Sequence, residues 1–343
     1  MLGGDGGSGR QTEAVVNDPR AAPKVAILVD RVSEAARSTG RTFGFKAMMW
    51  AAFLSLGLCV GAYTVEPLSS ALGVEVVGLD LRSPLDEATV DAISALLDEY
   101  LLVCFRGQAA LGPEEQVAFT RRWGAVEPHP LGSREDIHPE GIPKEVLVAQ
   151  NRLKEGDSVR NDIWHTDLSC MPKPVAYTAL LGVDVPREGW GDTLFANTRR
   201  AYRGLSPGMK GVVDGLRAVH NTMHFERAGK MENFTASASS VHPVVRTHPR
   251  TGEDALYLSG NFIDRFDGMT RGESRPLLDA LIAHATNPVY TYRHRWRRGD
   301  LVMWDNRATM HYAVFDYTAG MPRTMHRTTA AGDDAPFRSS PAR

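Results

Sequence analysis

Leu301-Val302-Met303-Trp304-Asp305-Asn306-Arg307-Ala308-Thr309-Met310-His311 is the stretch on which the reading of this chain turns. It opens with four apolar residues, Leu301–Trp304, which read as a short strand, and closes on a histidine. Moving outward, Val289–Tyr292 and Thr324–Ala330 read as strands on either side. Earlier runs of the same kind are Val74–Leu79, Leu101–Phe105, Val146–Ala149, Tyr177–Val183, Val244–Thr247 and Ala255–Leu258. Helices are expected from Pro84 through Tyr100, from Pro113 toward Trp123, and over Arg275–Thr286. Many short strands separated by Gly/Pro turns, with few helices, predict a mainly β chain, a β-sandwich or jelly roll decorated by helices.

Composition narrows the function classes. The chain has 343 residues and a formal net charge of -2, so no overall basic field points to nucleic acid. The cluster Arg293, Arg295, Arg297 and Arg298 alternates as residues on a strand edge do. The three cysteines, Cys59, Cys104 and Cys170, are widely spaced and form no CxxC, so a disulfide framework or zinc knuckle is not expected. A reducing cytoplasm fits best.

Residues 1–62 differ from the rest. Residues 1–23 are rich in Gly, Arg, Ala and Asp, a composition that cannot bury enough apolar surface to order itself. Residues 24–39 have a short helical pattern. Ala47 to Val65 is an uncharged run of nineteen residues, just long enough to span a bilayer and preceded by Arg41 and Lys46. Its Gly, Ser and Ala content lowers its hydrophobicity, and it starts too late for an ordinary signal peptide. The expectation is an N-terminal extension, disordered or partly helical, followed by one soluble domain over residues 63–343.

The chemistry starts at Ile163-Trp164-His165-Thr166-Asp167. On a strand, residues two apart face the same side, so His165 and Asp167 would supply two legs of a metal site. His311 offers a third. Two histidines and one carboxylate make the facial triad of oxygen-activating, non-haem Fe(II) enzymes, with positions left open for reactants. The tripeptide alone reads as an ordinary surface histidine; the surrounding motifs change that.

Those motifs, in chain order, are Gly78-Leu79-Asp80-Leu81, Val103-Cys104-Phe105-Arg106, Trp164-His165-Thr166-Asp167, Gly191-Asp192-Thr193-Leu194-Phe195, His242-Pro243-Val244-Val245-Arg246-Thr247-His248-Pro249, Trp304-Asp305-Asn306-Arg307 with His311, and Met325-His326-Arg327. On them the chain resembles the taurine dioxygenase (TauD/TfdA) family from about Tyr63 to about Phe337. The resemblance implies a double-stranded β-helix (jelly-roll, cupin-like) core and an Fe(II)- and 2-oxoglutarate-dependent dioxygenase with a small-molecule substrate and O2. It implies that His165, Asp167 and His311 bind iron. Thr193 and Arg323 would hold the distal carboxylate of 2-oxoglutarate, with Asn161 bordering it. Arg327 and His129 would bind the anionic group of the substrate, and Phe262 would line its pocket. A homo-oligomer, dimer or tetramer, is compatible with this reading.

Two departures from the family pattern bear on the substrate. Cys170 stands where an aromatic residue is common, three residues after Asp167, and the stretch between His224 and Val241 is short and rich in Ala and Ser. They place taurine itself in doubt and leave sulfonates, alkyl sulfates and aryloxy acids as candidates. Asp167 argues against halogenation, which in related enzymes uses a site lacking that carboxylate. Two other classes stay open: a zinc-dependent hydrolase on the same triad, and a non-catalytic binding protein tethered through Ala47–Val65.

Overall fold

The computed structural model describes residues 63–128, 138–151, 155, 163–223, 238–332 and 335–339. Strands β1 (Thr64–Pro67) and β2 (Val74–Val77) pair antiparallel. Helix α1 (Glu87–Tyr100) follows, and β3 (Leu102–Phe105) returns parallel to β2, the connection a parallel pair requires. Pro84 lies ahead of α1. The helix begins after Asp86, whose side chain accepts from Thr89 N at 2.8 Å and so caps the first turn. It ends at Leu101, which adopts a left-handed conformation with φ 64°. Leu101 therefore turns the chain, and the apolar run becomes a strand only from Leu102.

Helix α2 (Pro113–Thr120) runs into a 3-10 turn over Arg121–Trp123. Then come β4 (Leu147–Gln150), β5 (Tyr177–Asp184), β6 (Thr193–Asn197), α3 (Thr198–Arg203), α4 (Pro207–Val213), β7 (Arg217–Asn221), β8 (Ser239–Pro243), β9 (Val245–Thr247), β10 (Asp254–Leu256) and β11 (Ile263–Phe266). Helix α5 (Arg271–Ala285) starts one turn earlier than Arg275, because Thr270 and Glu273 form a reciprocal capping box. The predicted strand Val289–Tyr292 divides into a 3-10 turn, Pro288–Tyr290, and β12 (Thr291–His294). Asn287 caps that turn by accepting from Val289 N. The chain closes with β13 (Leu301–Asp305), β14 (Thr309–Ala313) and β15 (Thr324–Ala330).

The main sheet has seven strands in the order β1-β2-β3-β13-β5-β15-β4, and a three-stranded sheet has the order β12-β6-β14. The two share a core: Leu102 and Cys104 of β3, Val302 and Trp304 of β13 and Met325 of β15 cluster with Phe195 of β6 and with Trp296. The Phe195 and Trp304 rings meet edge-on with centroids 5.2 Å apart. This is the expected jelly roll. On the other face of the main sheet α1 packs against β3 and β13, so β13 is buried on both sides and reads as a continuous apolar run. A second core gathers Leu278 and Leu281 of α5 with Val244, Val245, Leu256, Ile263 and Phe266. Among the described residues, no helix is long and apolar enough to cross a membrane. Most of Ala47–Val65, and all of residues 1–62, lie outside the described residues.

Candidate metal centre

His311 lies on β14, and His165 is not on a regular strand. It forms a single bridge to His311, in which each backbone N–H donates to the other's carbonyl, at 3.0 and 2.8 Å. The Thr166 hydroxyl lies 3.1 Å from the Leu258 carbonyl and 2.9 Å from that of Thr309, which anchors the segment on two sides. The chain then turns sharply, with Leu168 in the left-handed region at φ 46°. That conformation costs a non-glycine residue about 1–2 kcal/mol. The strain sits beside Asp167, and it replaces the strand geometry that the HxD spacing predicted.

The three side chains nevertheless converge. Asp167 Oδ1 lies 3.9 Å from His165 Nε2 and 3.7 Å from His311 Nε2. One ligand atom from each of the three residues falls within 4.8 Å of the others. The imidazole rings are 4.1 Å apart between centroids. His165 Nδ1 lies 2.6 Å from the Ile163 carbonyl. A carbonyl can only accept, so Nδ1 carries the hydrogen and Nε2 is the ring nitrogen that faces the donor group. Burial, and then the neighbouring His165, push His311 down to about 3, so it is neutral and competent as a ligand. Burial would raise the Asp167 carboxyl, but Arg327 foremost, with the two histidines and Thr178, holds it well below the usual carboxylate range. Two imidazoles and one ionised carboxylate match the donor set that Fe(II) takes in oxygen-activating sites.

Around this triad the structure places the other predicted residues as follows. Arg327, on β15, reaches Asp167 Oδ1 with its Nη2 at 2.8 Å. Its Nε is buried with no hydrogen-bond partner among the described residues. Arg323 precedes β15, with its guanidinium over the Tyr317 ring at 5.3 Å. It lies against Gly191, where an added Cβ would come 3.1 Å from Arg323 Nε. Thr193 is two residues beyond Gly191, at the start of β6, and its hydroxyl accepts from Trp296 Nε1 at 3.0 Å. Arg323 and Thr193 thus meet the same Gly-Asp turn. Phe262 is buried, and its carbonyl accepts from Asn221 N at 2.7 Å. Cys170 is fully buried, and burial pushes its thiol up to about 11. His129 and Asn161 lie outside the described residues.

Some contributors carried no sequence signal. Arg293, read as an edge residue, donates to the buried Asp192 carboxylate at 2.6 Å and so braces the turn that carries Thr193. The Gly191 N–H donates to Asp316 at 2.6 Å. Thr178, on β5, donates to Asp167 Oδ2 at 2.8 Å. Arg293 and Asp192 lie 101 residues apart and Gly191 and Asp316 125 apart, so the tertiary fold brings them together. A second donor group, Cys104, His294 and Asp300, is already committed. Asp300 takes Arg106 Nη1 at 2.6 Å and Arg297 N at 2.8 Å, and Arg106 also pairs with Glu75.

Comparison with known proteins identifies the family. The family model "Taurine catabolism dioxygenase TauD, TfdA family" matches residues 64–329. An alpha-ketoglutarate-dependent sulfate ester dioxygenase of Pseudomonas putida is 36% identical, covering 78% of this chain and 89% of that protein. An alpha-ketoglutarate-dependent 2,4-dichlorophenoxyacetate dioxygenase of Cupriavidus pinatubonensis is 34% identical, covering 80% and 99%. Among solved structures, AAD-2 in complex with Mn(II) and N-oxalylglycine superposes with a TM-score of 0.68 at 30% identity, covering 81% of this chain and all of that one. With a jelly roll, a His-Asp-His donor set and a family match over most of its length, this chain belongs to the TauD/TfdA family of 2-oxoglutarate-dependent dioxygenases.

Proposed function

We propose that the protein hydroxylates a small anionic organic molecule, of the alkyl sulfate, sulfonate or aryloxy acid type, with Fe(II) bound by His165, Asp167 and His311. The observation that carries this reading is the convergence, within 4.8 Å, of donor atoms from two imidazoles and one ionised carboxylate. Fe(II), when bound, couples the oxidative decarboxylation of 2-oxoglutarate by O2 to hydroxylation of a substrate C–H bond, giving succinate, CO2 and the alcohol.

The chain's own residues bind and orient the reactants. Arg323, packed on Gly191 and Tyr317, presents a rigid guanidinium to the distal carboxylate of 2-oxoglutarate, and the Thr193 hydroxyl adds a second contact. Arg327, beside Asp167 and with a buried N–H in need of an acceptor, holds the substrate's anionic group near the reacting carbon. Hydroxylation at a carbon bearing oxygen or sulfur gives an unstable product that collapses and breaks the C–O or C–S bond. The sulfate ester and phenoxyacetate activities of the two relatives support that class of substrate. A zinc hydrolase would have no use for Arg323 seated on the Gly191 turn. The two described cysteines, both buried and unpaired, support a reducing, cytoplasmic location.

The test is a panel of alkyl sulfates, alkanesulfonates and aryloxyacetates scored by succinate release. At least one is expected to stimulate release that needs both iron and O2, and His165→Ala, Asp167→Ala and His311→Ala are expected to abolish it. Full turnover in any of these variants would remove that residue from the site.

A further inference from the structure

We infer that Trp304, Asn306 and Thr178 form a hydrogen-bond relay that selects which oxygen of Asp167 is offered to the metal. The inference rests on Asp167 being a metal ligand. Its geometry follows from hydrogen accounting. The Trp304 indole can only donate, and its Nε1 lies 3.1 Å from Asn306 Oδ1. The backbone N–H of Asp167 points at that same oxygen at 3.4 Å. The Asn306 amide is thereby oriented, with its Nδ2 toward Thr178 Oγ1 at 2.8 Å. An amide nitrogen can only donate, so the Thr178 hydroxyl accepts from Asn306 and its own hydrogen is directed elsewhere. The carboxylate oxygen Asp167 Oδ2, at 2.8 Å, receives it.

Each member is held in place. Thr178 stands opposite Trp304 in the β5–β13 register, and Asn306 N donates to the Ala176 carbonyl at 2.8 Å. Thr178 is 0%, Asn306 1%, Trp304 1% and Asp167 3% exposed, so water does not compete for these bonds. Oδ2 takes the Thr178 hydroxyl, whereas Oδ1, which Arg327 Nη2 also reaches at 2.8 Å, is the oxygen nearer the histidines, at 3.9 Å from His165 Nε2 and 3.7 Å from His311 Nε2. Asp167 then contributes one oxygen rather than two, which leaves coordination positions for the cosubstrate and O2. Trp304 also packs against His311, with ring centroids 4.9 Å apart, so one residue steadies two of the three ligands. Thr178 and Asn306 are positioning residues that act through Asp167.

The test reads metal binding directly. Metal-free wild type, Thr178→Val, Thr178→Ser, Trp304→Phe and Asp167→Ala are titrated with Co(II) under anaerobic conditions. Affinity is followed by calorimetry, coordination by the visible Co(II) spectrum, and folding by the unfolding temperature of the metal-free protein. Thr178→Val keeps the shape and loses the hydroxyl. It is expected to bind Co(II) about 10–100-fold more weakly, with an altered spectrum. Thr178→Ser should restore the wild-type spectrum and most of the affinity. Trp304→Phe removes the indole N–H together with one ring of the side chain, so it should weaken binding in the same direction and also lower the unfolding temperature; if Thr178→Val does not fold, unchanged binding in the folded Trp304→Phe protein still overturns the relay. Wild-type affinity and spectrum in the folded Thr178→Val or Trp304→Phe protein, while Asp167→Ala loses binding, would overturn the relay and leave the ligand assignment standing. Wild-type binding by Asp167→Ala would overturn both.

Discussion

Arg323 and Arg327 stand four residues apart and face different neighbours, one on Gly191 and Tyr317, the other on Asp167. They should therefore fail differently. Losing a charge-assisted contact to a desolvated carboxylate costs about 1.5–3 kcal/mol, so Arg323→Ala should raise the KM for 2-oxoglutarate roughly tenfold to over a hundredfold. Arg327→Ala should leave that KM nearly unchanged and weaken the primary substrate by a similar factor. It should also consume 2-oxoglutarate without forming product, because a misplaced substrate is not hydroxylated. Steady-state kinetics that count both succinate and product would separate the two. Because Arg327 also touches Asp167, metal affinity is measured alongside. An equal rise in the 2-oxoglutarate KM for both variants would assign Arg327 to the cosubstrate.

At the scale of elements, the turn into β6 and the pairing of β7 with β8 carry the most consequence. Gly191 has φ 65°, and its Cα lies against Arg323. An alanine there would adopt a left-handed conformation at a cost of about 1–2 kcal/mol, and its Cβ would press on the arginine. Gly191→Ala is expected to lower the unfolding temperature and to raise the 2-oxoglutarate KM together. A drop in stability with an unchanged KM would show that Arg323 does not depend on this turn. On β7, His220 is fully buried; its Nδ1 is 2.9 Å from the Ser169 hydroxyl and its ring stacks near Tyr257. Burial, then the neighbouring His242, pushes its imidazole well below the ordinary value. It stays neutral in the fold, whereas the unfolded chain takes up a proton below about pH 6.5. Unfolding is then accompanied by proton uptake, so stability is retained above that pH and falls below it. Urea denaturation of the metal-free protein across this range should show the decline. His220→Gln should make it shallower by about 1 kcal/mol per pH unit. An identical slope in the variant would mean that the other buried histidines account for the loss.

For the whole molecule, the family match covers residues 64–329, and the jelly-roll core draws on residues from Ala71 to Met325. A chain beginning at Tyr63 is expected to fold, to bind metal and to turn over at the full-length rate. Circular dichroism, Co(II) titration and succinate release check this. Loss of folding or of metal binding would show that residues 1–62 complete the domain. The two-sheet core also predicts where stability resides. Trp304 joins both sheets and abuts His311, so changes there should move stability and metal binding together, whereas changes at exposed Val289 should move neither.

The sequence by itself determined the kind of fold and pointed to His165, Asp167 and His311 as candidate donors. Strand-length apolar runs such as Leu301–Trp304 are local signals, and the ordered motifs around His165, Asp167 and His311 single out donor types that iron requires. It also named Arg323 and Arg327. Element ends were less legible, because caps such as Asp86 and the Thr270–Glu273 box override the apolar pattern within a turn. The tertiary structure alone decided what surrounds the donors. His165 is held beside His311 by a single bridge, and Asp167 stands just before a strained turn at Leu168, rather than along a strand. Thr178 stands opposite Trp304 because β5 lies beside β13, and Arg293 reaches Asp192 because β12 lies beside β6. Those contacts join residues whose separation in the chain carries no periodic signal. Where a partner stands across a sheet, register sets it, and register is fixed by which face of the strand is buried against the core.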